Sequence, residues 1–247
     1  MPDRMERAFL AIYRASYEHA VFDLVQQAEA AGCRVRLWAL ERCIQSLAPW
    51  TCGEGRAPRL TLLNRLARSV PTDSLETLVV SDDDVQITRG TLRELIMIAE
   101  RGRFGLAQPA HDAGSHVSHA LTRRQYWTRA RTTTFVEVGP LVVISRPWIE
   151  RVLPFPESYG MGWGLDLAWT DLRAEGCRMG IVDAVTIRHL APVGLDYDVC
   201  AERLRLEREL HRRGLARIAD AHRTVQRWYP WRPSPPWIRE FDHVAAR

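Results

Sequence analysis

Residues 75–88 read LETLVVSDDDVQIT: an apolar run at Leu78, Val79 and Val80, one serine, then Asp82, Asp83 and Asp84 in succession. A short apolar run of this kind reads as a buried strand, with the acids leaving its carboxyl end. Three adjacent carboxylates without partners repel one another and resist ionisation, so positive charge is expected to meet them. In an extended segment residues two apart share a face, which puts Asp82 and Asp84 on one side and Asp83 on the other. Two carboxylates on one face at a strand end form a hard-oxygen site for Mg2+ or Mn2+, an ion that keeps waters and takes other ligands from phosphates. The plainer alternative is that Asp82 caps a turn, Asp83 is solvated and Asp84 begins a loop.

Working outward, RAFLAIY (7–13) reads as a strand and roughly 16–31 as a helix with Val21, Leu24, Val25 and Ala28 at helical spacing. CRVRLWAL (33–40) is a second strand, RLTLLNRLARSV (59–70) a helix stopping before Pro71, and ETLVV (76–80) the third strand. TRGTLRELIMIAERG (88–102) reads as a helix with Gly102 as its stop, and FGLAQPA (104–110) as the next strand. This alternation predicts an α/β fold with a parallel, doubly wound sheet flanked by helices and ligands beyond the carboxyl ends of its strands. Farther on, TTTFVEVGPLVVIS (132–145) reads as two short strands turning at Gly139-Pro140, RPWIERVLPF (146–155) as a short helix, and CRMGIVDAVTIRHL (177–190) as strand, turn, strand. Residues 197–218 read as a charged amphipathic helix. The tail over 223–241 holds Trp228, Tyr229, Trp231 and Trp237, too many large aromatics to leave solvated, and is expected to pack on the domain. The division predicted is a domain over 1–195 and a helical, aromatic extension over 196–247.

The 247 residues suffice for a substantial core, and the net charge of +4 is modest. No lysine occurs in the sequence; every basic side chain except histidine is arginine. That excludes a P-loop and Schiff-base chemistry, both of which need the amine. Arginines scattered among acids favour small anionic ligands over a nucleic-acid face. No run of apolar residues is long enough to span a membrane, and the first residues do not read as a signal peptide, so a cytoplasmic location is expected. Five cysteines without a CxxC pair read as reduced, mostly buried thiols.

Two further stretches carry chemistry. In YGMGWGLDLAW (159–169), Gly160, Gly162 and Gly164 allow positive φ or close approach to a ligand. Trp163 can offer a flat face to a sugar ring, and Asp166, at the start of a helix, can serve as general base or simply as its cap. His189, at a strand end in VTIRHLAPVG, is a nitrogen donor for a metal held by Asp84, or a structural histidine. Arg14, Arg56, Arg59 and Asn64 are candidates for contacts with a diphosphate. His116 and His119 in GSHVSH are candidates for polar contacts with an acceptor.

In this order, VVSDDDV, GWGLD and IRHL resemble the GT-A type of nucleotide-sugar glycosyltransferase, and FGLAQPA, FVE, GWGLD and VD followed by a histidine are similar to a less characterised GT-A-like group. The likeness covers roughly residues 7–195. It implies a Rossmann-like half and transfer of a sugar from a nucleotide-diphosphate donor to an acceptor hydroxyl on a small molecule, glycan or lipid carrier. By resemblance Asp84 would bind Mn2+ or Mg2+, with His189 completing the site. Asp82 would lie near the donor ribose or a metal-bound water, with Asp83 beside it on the donor side, and Asp166 would be the base. Many relatives have Glu-Asp where this chain has Leu165-Asp166, and the uracil-contacting aspartate is replaced by Glu41 alone. A single base on the acceptor side favours inversion. The alternatives are a non-catalytic nucleotide-sugar or carbohydrate-binding protein and a nucleotide-sugar hydrolase.

Overall fold

The computed structural model describes residues 6–192, 194, 197–236 and 238. In chain order the elements are β1 (Glu6–Tyr13), α1 (Glu18–Ala30), β2 (Cys33–Ala39), β3 (Thr51–Glu54), α2 (Arg59–Ala67), β4 (Leu75–Ser81), β5 (Val85–Arg89) and α3 (Leu92–Arg101). There follow β6 (Leu106–His111), β7 (Ala130–Thr133), β8 (Leu141–Ser145), α4 (Arg146–Val152), α5 (Leu165–Trp169), β9 (Met179–His189), α6 (Val199–Arg212) and β10 (Thr224–Trp228). The strands form one sheet in the order β10-β7-β9-β6-β8-β4-β1-β2-β3, with β5 paired to β9. β3, β2, β1 and β4 are parallel neighbours, as are β6 and β9, while β8 runs antiparallel between β4 and β6. The expected mostly parallel α/β sheet is present. Seven strands, β1, β2, β3, β4, β6, β9 and β10, point the same way, so their carboxyl ends share one lip.

Central strands are apolar on both faces because helices cover both. On β4, Leu78 and Val80 join α2 and α4 through Leu60, Leu63 and Ile149, whereas Val79 faces α1 and α3 through Val25, Leu95 and Ile98. Each such side chain is fully buried and stabilises the fold by about 1.5–3 kcal/mol. The N-terminus of α3 is capped by Thr91, whose side chain accepts from the Glu94 amide. At its C-terminus Gly102 has ordinary helical φ, and the left-handed residue is Arg103. Gly102 is needed for space instead, since a Cβ there would lie 2.5 Å from the Phe104 ring.

The sheet departs from the sequence reading at four places. β3, an edge strand whose side chains alternate between half-buried and exposed, has no apolar run to announce it. β5 has no strand reading, and its last two residues, Thr88 and Arg89, fall in the stretch that reads as the start of the α3 helix. β7 and β8 are not a hairpin: β7 pairs with β9 and β10, and Gly139-Pro140 only leads into β8. Residues 179–189 are one strand with a register shift beyond Pro109 of β6, not two strands around a turn. On the edge of β9 away from β6, residues 179–181 pair with β7 and residues 186–189 with β5. Three of the five cysteines, Cys43, Cys52 and Cys200, are exposed.

The aromatic residues near the C-terminus also divide. β10 adds to the edge of the sheet beside β7, and Trp228 is buried there. Trp231 is 58% exposed. Trp237 lies outside the described residues.

Candidate functional site at the carboxyl lip of the sheet

The three aspartates find three basic partners. Beyond β4 the chain bends at Asp83 and Asp84 and returns as β5, antiparallel to β9. The strict alternation expected of an extended segment is lost because the chain must reverse. Arg14, the first residue past β1, donates to Asp83 from its backbone amide and Nε at 2.8 Å and from Nη2 at 2.7 Å. Its Nη2 also lies 3.9 Å from Asp84. Asp82 turns instead to Arg59 at the start of α2, which donates to it from Nε at 2.8 Å with Nη2 at 2.7 Å. Asp84 meets His189, Oδ1 to Nε2, at 3.1 Å.

Sheet register explains that last contact. Val85 of β5 pairs with His189 of β9, and the Leu190 amide donates to the Asp84 carbonyl at 2.8 Å. Two side chains remote in sequence are thereby fixed side by side. Burial opposes protonation of His189, but its bond to the Asp84 carboxylate outweighs this and raises the imidazole pKa above its ordinary value.

The donor set fits a small divalent cation. Ligands about 2.1 Å from an octahedral ion and at right angles are about 3.0 Å apart, the spacing of Asp84 and His189. Among the described residues no group of three or more His, Cys, Asp and Glu is arranged to hold a metal. Two protein ligands leave positions for waters and phosphate oxygens, the coordination Mg2+ prefers. Asp82, expected as a further ligand, is engaged with Arg59.

These groups open into one cavity of about 1220 Å³. Its wall includes Arg14, Arg56, Arg59, Asp82, Asp83, Asp84, His116, His119, Gly162, Trp163, Asp166 and His189. Asn64 is not in that wall: its amide donates to Phe155 and Glu157 and accepts from the Phe155 amide, pinning α2 to the loop after α4. Arg56 is largely exposed and pairs with Glu41 at 3.1 Å. Gly160, Gly162 and Gly164 all take positive φ, at 57°, 113° and 89°, as a glycine-rich loop in this position requires. The loop holds Trp163 against Tyr197, with the indole Nε1 donating to the phenol at 3.2 Å.

Asp166 is 8% exposed. Its Oδ1 accepts from the Leu167 amide at 2.8 Å, while Gly164 is the helix cap. Burial pushes its carboxyl up to about 7, and the charge of Glu137 adds to the rise. A carboxyl poised there can hold or accept a proton near neutral pH.

Sequence reading missed Glu137 and His111. Glu137 Oε2 lies 3.1 Å from His111 Nε2 and accepts from Gln108 at 3.0 Å. His119 Nε2 sits 3.9 Å from Glu137 and 3.8 Å from Asp166. His111 Nδ1 reaches the Ser115 hydroxyl at 2.6 Å, and that hydroxyl accepts from the His189 amide at 2.8 Å. Burial opposes ionisation of Glu137, but the bond from His111 and nearby imidazole charge keep its carboxyl below the usual range. A single acid inside the apolar run of 135–144 was the available signal. An unpaired charge there would be costly.

Neither protein-family models nor curated proteins match this sequence. Solved structures do. The crystal structure of GalNAc-T7 with UDP, GalNAc and Mn2+ aligns with a TM-score of 0.58 at 8% identity, covering 84% of this chain and 48% of that one. The crystal structure of S. aureus TarS aligns at 0.53 and 10% identity, covering 87% of this chain and 45% of that one. The fold is GT-A. This GT-A chain spans about half the length of either relative in structure, and at such identities the likeness carries the fold alone. Within it, the aspartates lie at the end of β4, and the glycine-tryptophan loop and His189 converge on them.

Proposed function

We propose that the protein is a glycosyltransferase that takes a sugar from a nucleotide-diphosphate donor and passes it to an acceptor hydroxyl, with inversion. The observation that carries the reading is the placement of Asp166, nearly buried and with its carboxyl pushed up to about 7, in the same cavity as the Asp84–His189 pair. The GT-A relative crystallised with UDP, GalNAc and Mn2+ supports a nucleotide-sugar donor and a divalent ion.

Asp84 and His189 would hold Mn2+ or Mg2+, which when bound neutralises the diphosphate and stabilises it as leaving group. Burial raises the Asp83 carboxyl pKa and the bonds from Arg14 oppose that rise while holding the side chain in place, so the lip stays rigid while the donor binds. Arg59 orients Asp82 toward the nucleotide side of the cavity. Trp163 offers an indole face to the sugar or acceptor ring, held by Tyr197. Asp166 accepts the proton of the acceptor hydroxyl as its oxygen attacks, and burial makes the carboxylate a stronger base than an exposed one. His119, 3.8 Å away, lies where it can contact the same acceptor.

Turnover of a panel of nucleotide sugars, with and without acceptor and with Mn2+ or EDTA, tests the reading. Donor consumption that requires an acceptor and stops with EDTA is expected. Equal consumption without any acceptor identifies a hydrolase, and tight nucleotide binding without turnover identifies a binding protein.

A further inference from the structure

Two chain segments leave the His119 side of the cavity and converge on an exposed aromatic patch. His119 packs edge to face on His222, with ring centres 5.0 Å apart. Seven residues beyond each lie Tyr126 and Tyr229, no more than about 25 Å of chain from that pair of rings. There Trp127 meets Trp231 at 6.1 Å and Tyr229 meets Trp231 at 5.4 Å. Tyr126, Trp127 and Trp231 are 68%, 77% and 58% exposed.

The patch is built and held. Gln125, Tyr126, Trp127 and Thr128 form a turn in which Trp127 has φ of 69°. That is the third position of a type II turn, where glycine is the usual residue, so the chain accepts backbone strain to place an indole there. Beneath the turn, fully buried Asp183 accepts from the Gln125 amide, the Thr128 hydroxyl and Arg131. Strain and a buried ion pair together fix an outward-facing tryptophan.

Charge along the two segments is one-signed. Segments 124–132 and 223–236 contain no acid. Apart from Arg131, their arginines are Arg124, Arg129, Arg223, Arg227 and Arg232, and none has an ion pair among the described residues. Arg124 and Arg232 lie over the rings of Tyr126 and Tyr229. The Trp127 and Trp231 rings cross at 69°, so they present no aligned faces on which successive sugar or base rings can stack. Projecting indoles and phenols beside Arg124, Arg227 and Arg232 suit the headgroup region of an anionic bilayer.

We propose that the Tyr126–Trp127 turn and the Tyr229–Arg232 segment dock this protein on the surface of a membrane containing anionic lipid, bringing the His119 side of the cavity close to that surface. The full chain is sedimented with vesicles of phosphatidylcholine alone or mixed equally with phosphatidylglycerol. Binding to the anionic vesicles is expected to exceed binding to neutral ones by roughly tenfold and to be lost at ~0.5 M salt. Trp127→Gly relieves the strained φ and so preserves folding; with Trp231→Ala it should lower vesicle binding by roughly tenfold. The melting shift given by a nucleoside diphosphate with Mn2+ should not change, which separates docking from the donor site. No binding to anionic vesicles, or unchanged binding by the double variant, overturns the proposal. So does patch-dependent retention on an oligosaccharide or single-stranded nucleic-acid column without vesicle binding.

Discussion

Replacing Asp166 by Asn should inactivate the protein and make it more stable. The carboxyl is pushed from an ordinary 3.8 up to about 7, chiefly by burial. A rise of about three units corresponds to ~4 kcal/mol of differential interaction between the two protonation states. Because the folded pKa lies above the unfolded one, the wild type holds its full stability below about pH 4 and loses up to ~4 kcal/mol as the pH rises to about 7. Asn cannot ionise, so it escapes that loss, and its side-chain oxygen can still accept from the Leu167 amide. For a chain of 247 residues, at about 2 °C per kcal/mol, the variant should melt up to roughly 8 °C above wild type at pH 8 and equally at pH 4. Transfer should fall by about a hundred- to ten-thousandfold, and wild-type transfer should rise with pH through about 7 as the base loses its proton. Melting curves from pH 4 to 8 and single-turnover transfer read both effects. A variant that melts at or below wild type at pH 8 would refute the burial argument, and one that keeps most of its rate would remove Asp166 as base.

Asp183→Ala leaves fully buried Arg131 without its carboxylate and should cost about 3–5 kcal/mol in denaturant unfolding. Gly139→Ala places a methyl 2.5 Å from Asp82 and 3.2 Å from Arg59, so donor affinity measured calorimetrically should drop by about tenfold or more while the fold survives. Truncation after residue 222 removes β10 and bares the edge of β7; the shortened chain should lose solubility, seen by light scattering, as unpaired strand edges associate. A truncated chain that stays monomeric and melts like the full one would show that β10 contributes nothing to the fold.

Periodicity revealed the parallel part of the sheet because strands covered on both faces are apolar throughout, as β1 and β4 are. It failed where strands are short, exposed or reversed: β3 and β5 have no apolar signature, and β7 and β8 find their partners far away in sequence. In the candidate site, residue type and order singled out Asp84, His189 and Asp166, and the fold gathers all three around one cavity. Spacing alone could not show that Asp82 and Asp83 would be claimed by Arg59 and Arg14, for those contacts depend on where α2 begins and β1 ends. Asn64 misled for the same reason: a polar residue on a helix of the nucleotide half reads alike whether it faces a ligand or pins a loop. The Glu137–His111 pair is tertiary throughout, joining residues 26 apart on separate strands and loops.

In a purely parallel sheet, every connection that leaves a strand at the ligand lip must return from the opposite lip, so only half of the connecting segments can reach a substrate. The reversed strand β8 breaks that rule. Because it starts where β4 and β6 end, the stretch leading into it, Glu137 to Gly139, is delivered to the ligand side, and the Asp82 amide is tied to Pro140 at 2.7 Å. One inversion of strand direction thus gives the cavity an extra wall in the middle of the sheet, where neighbouring loops are closest together. Insertions or substitutions in that stretch can reshape the cavity while β4, β6 and the Asp84–His189 pair stay where they are.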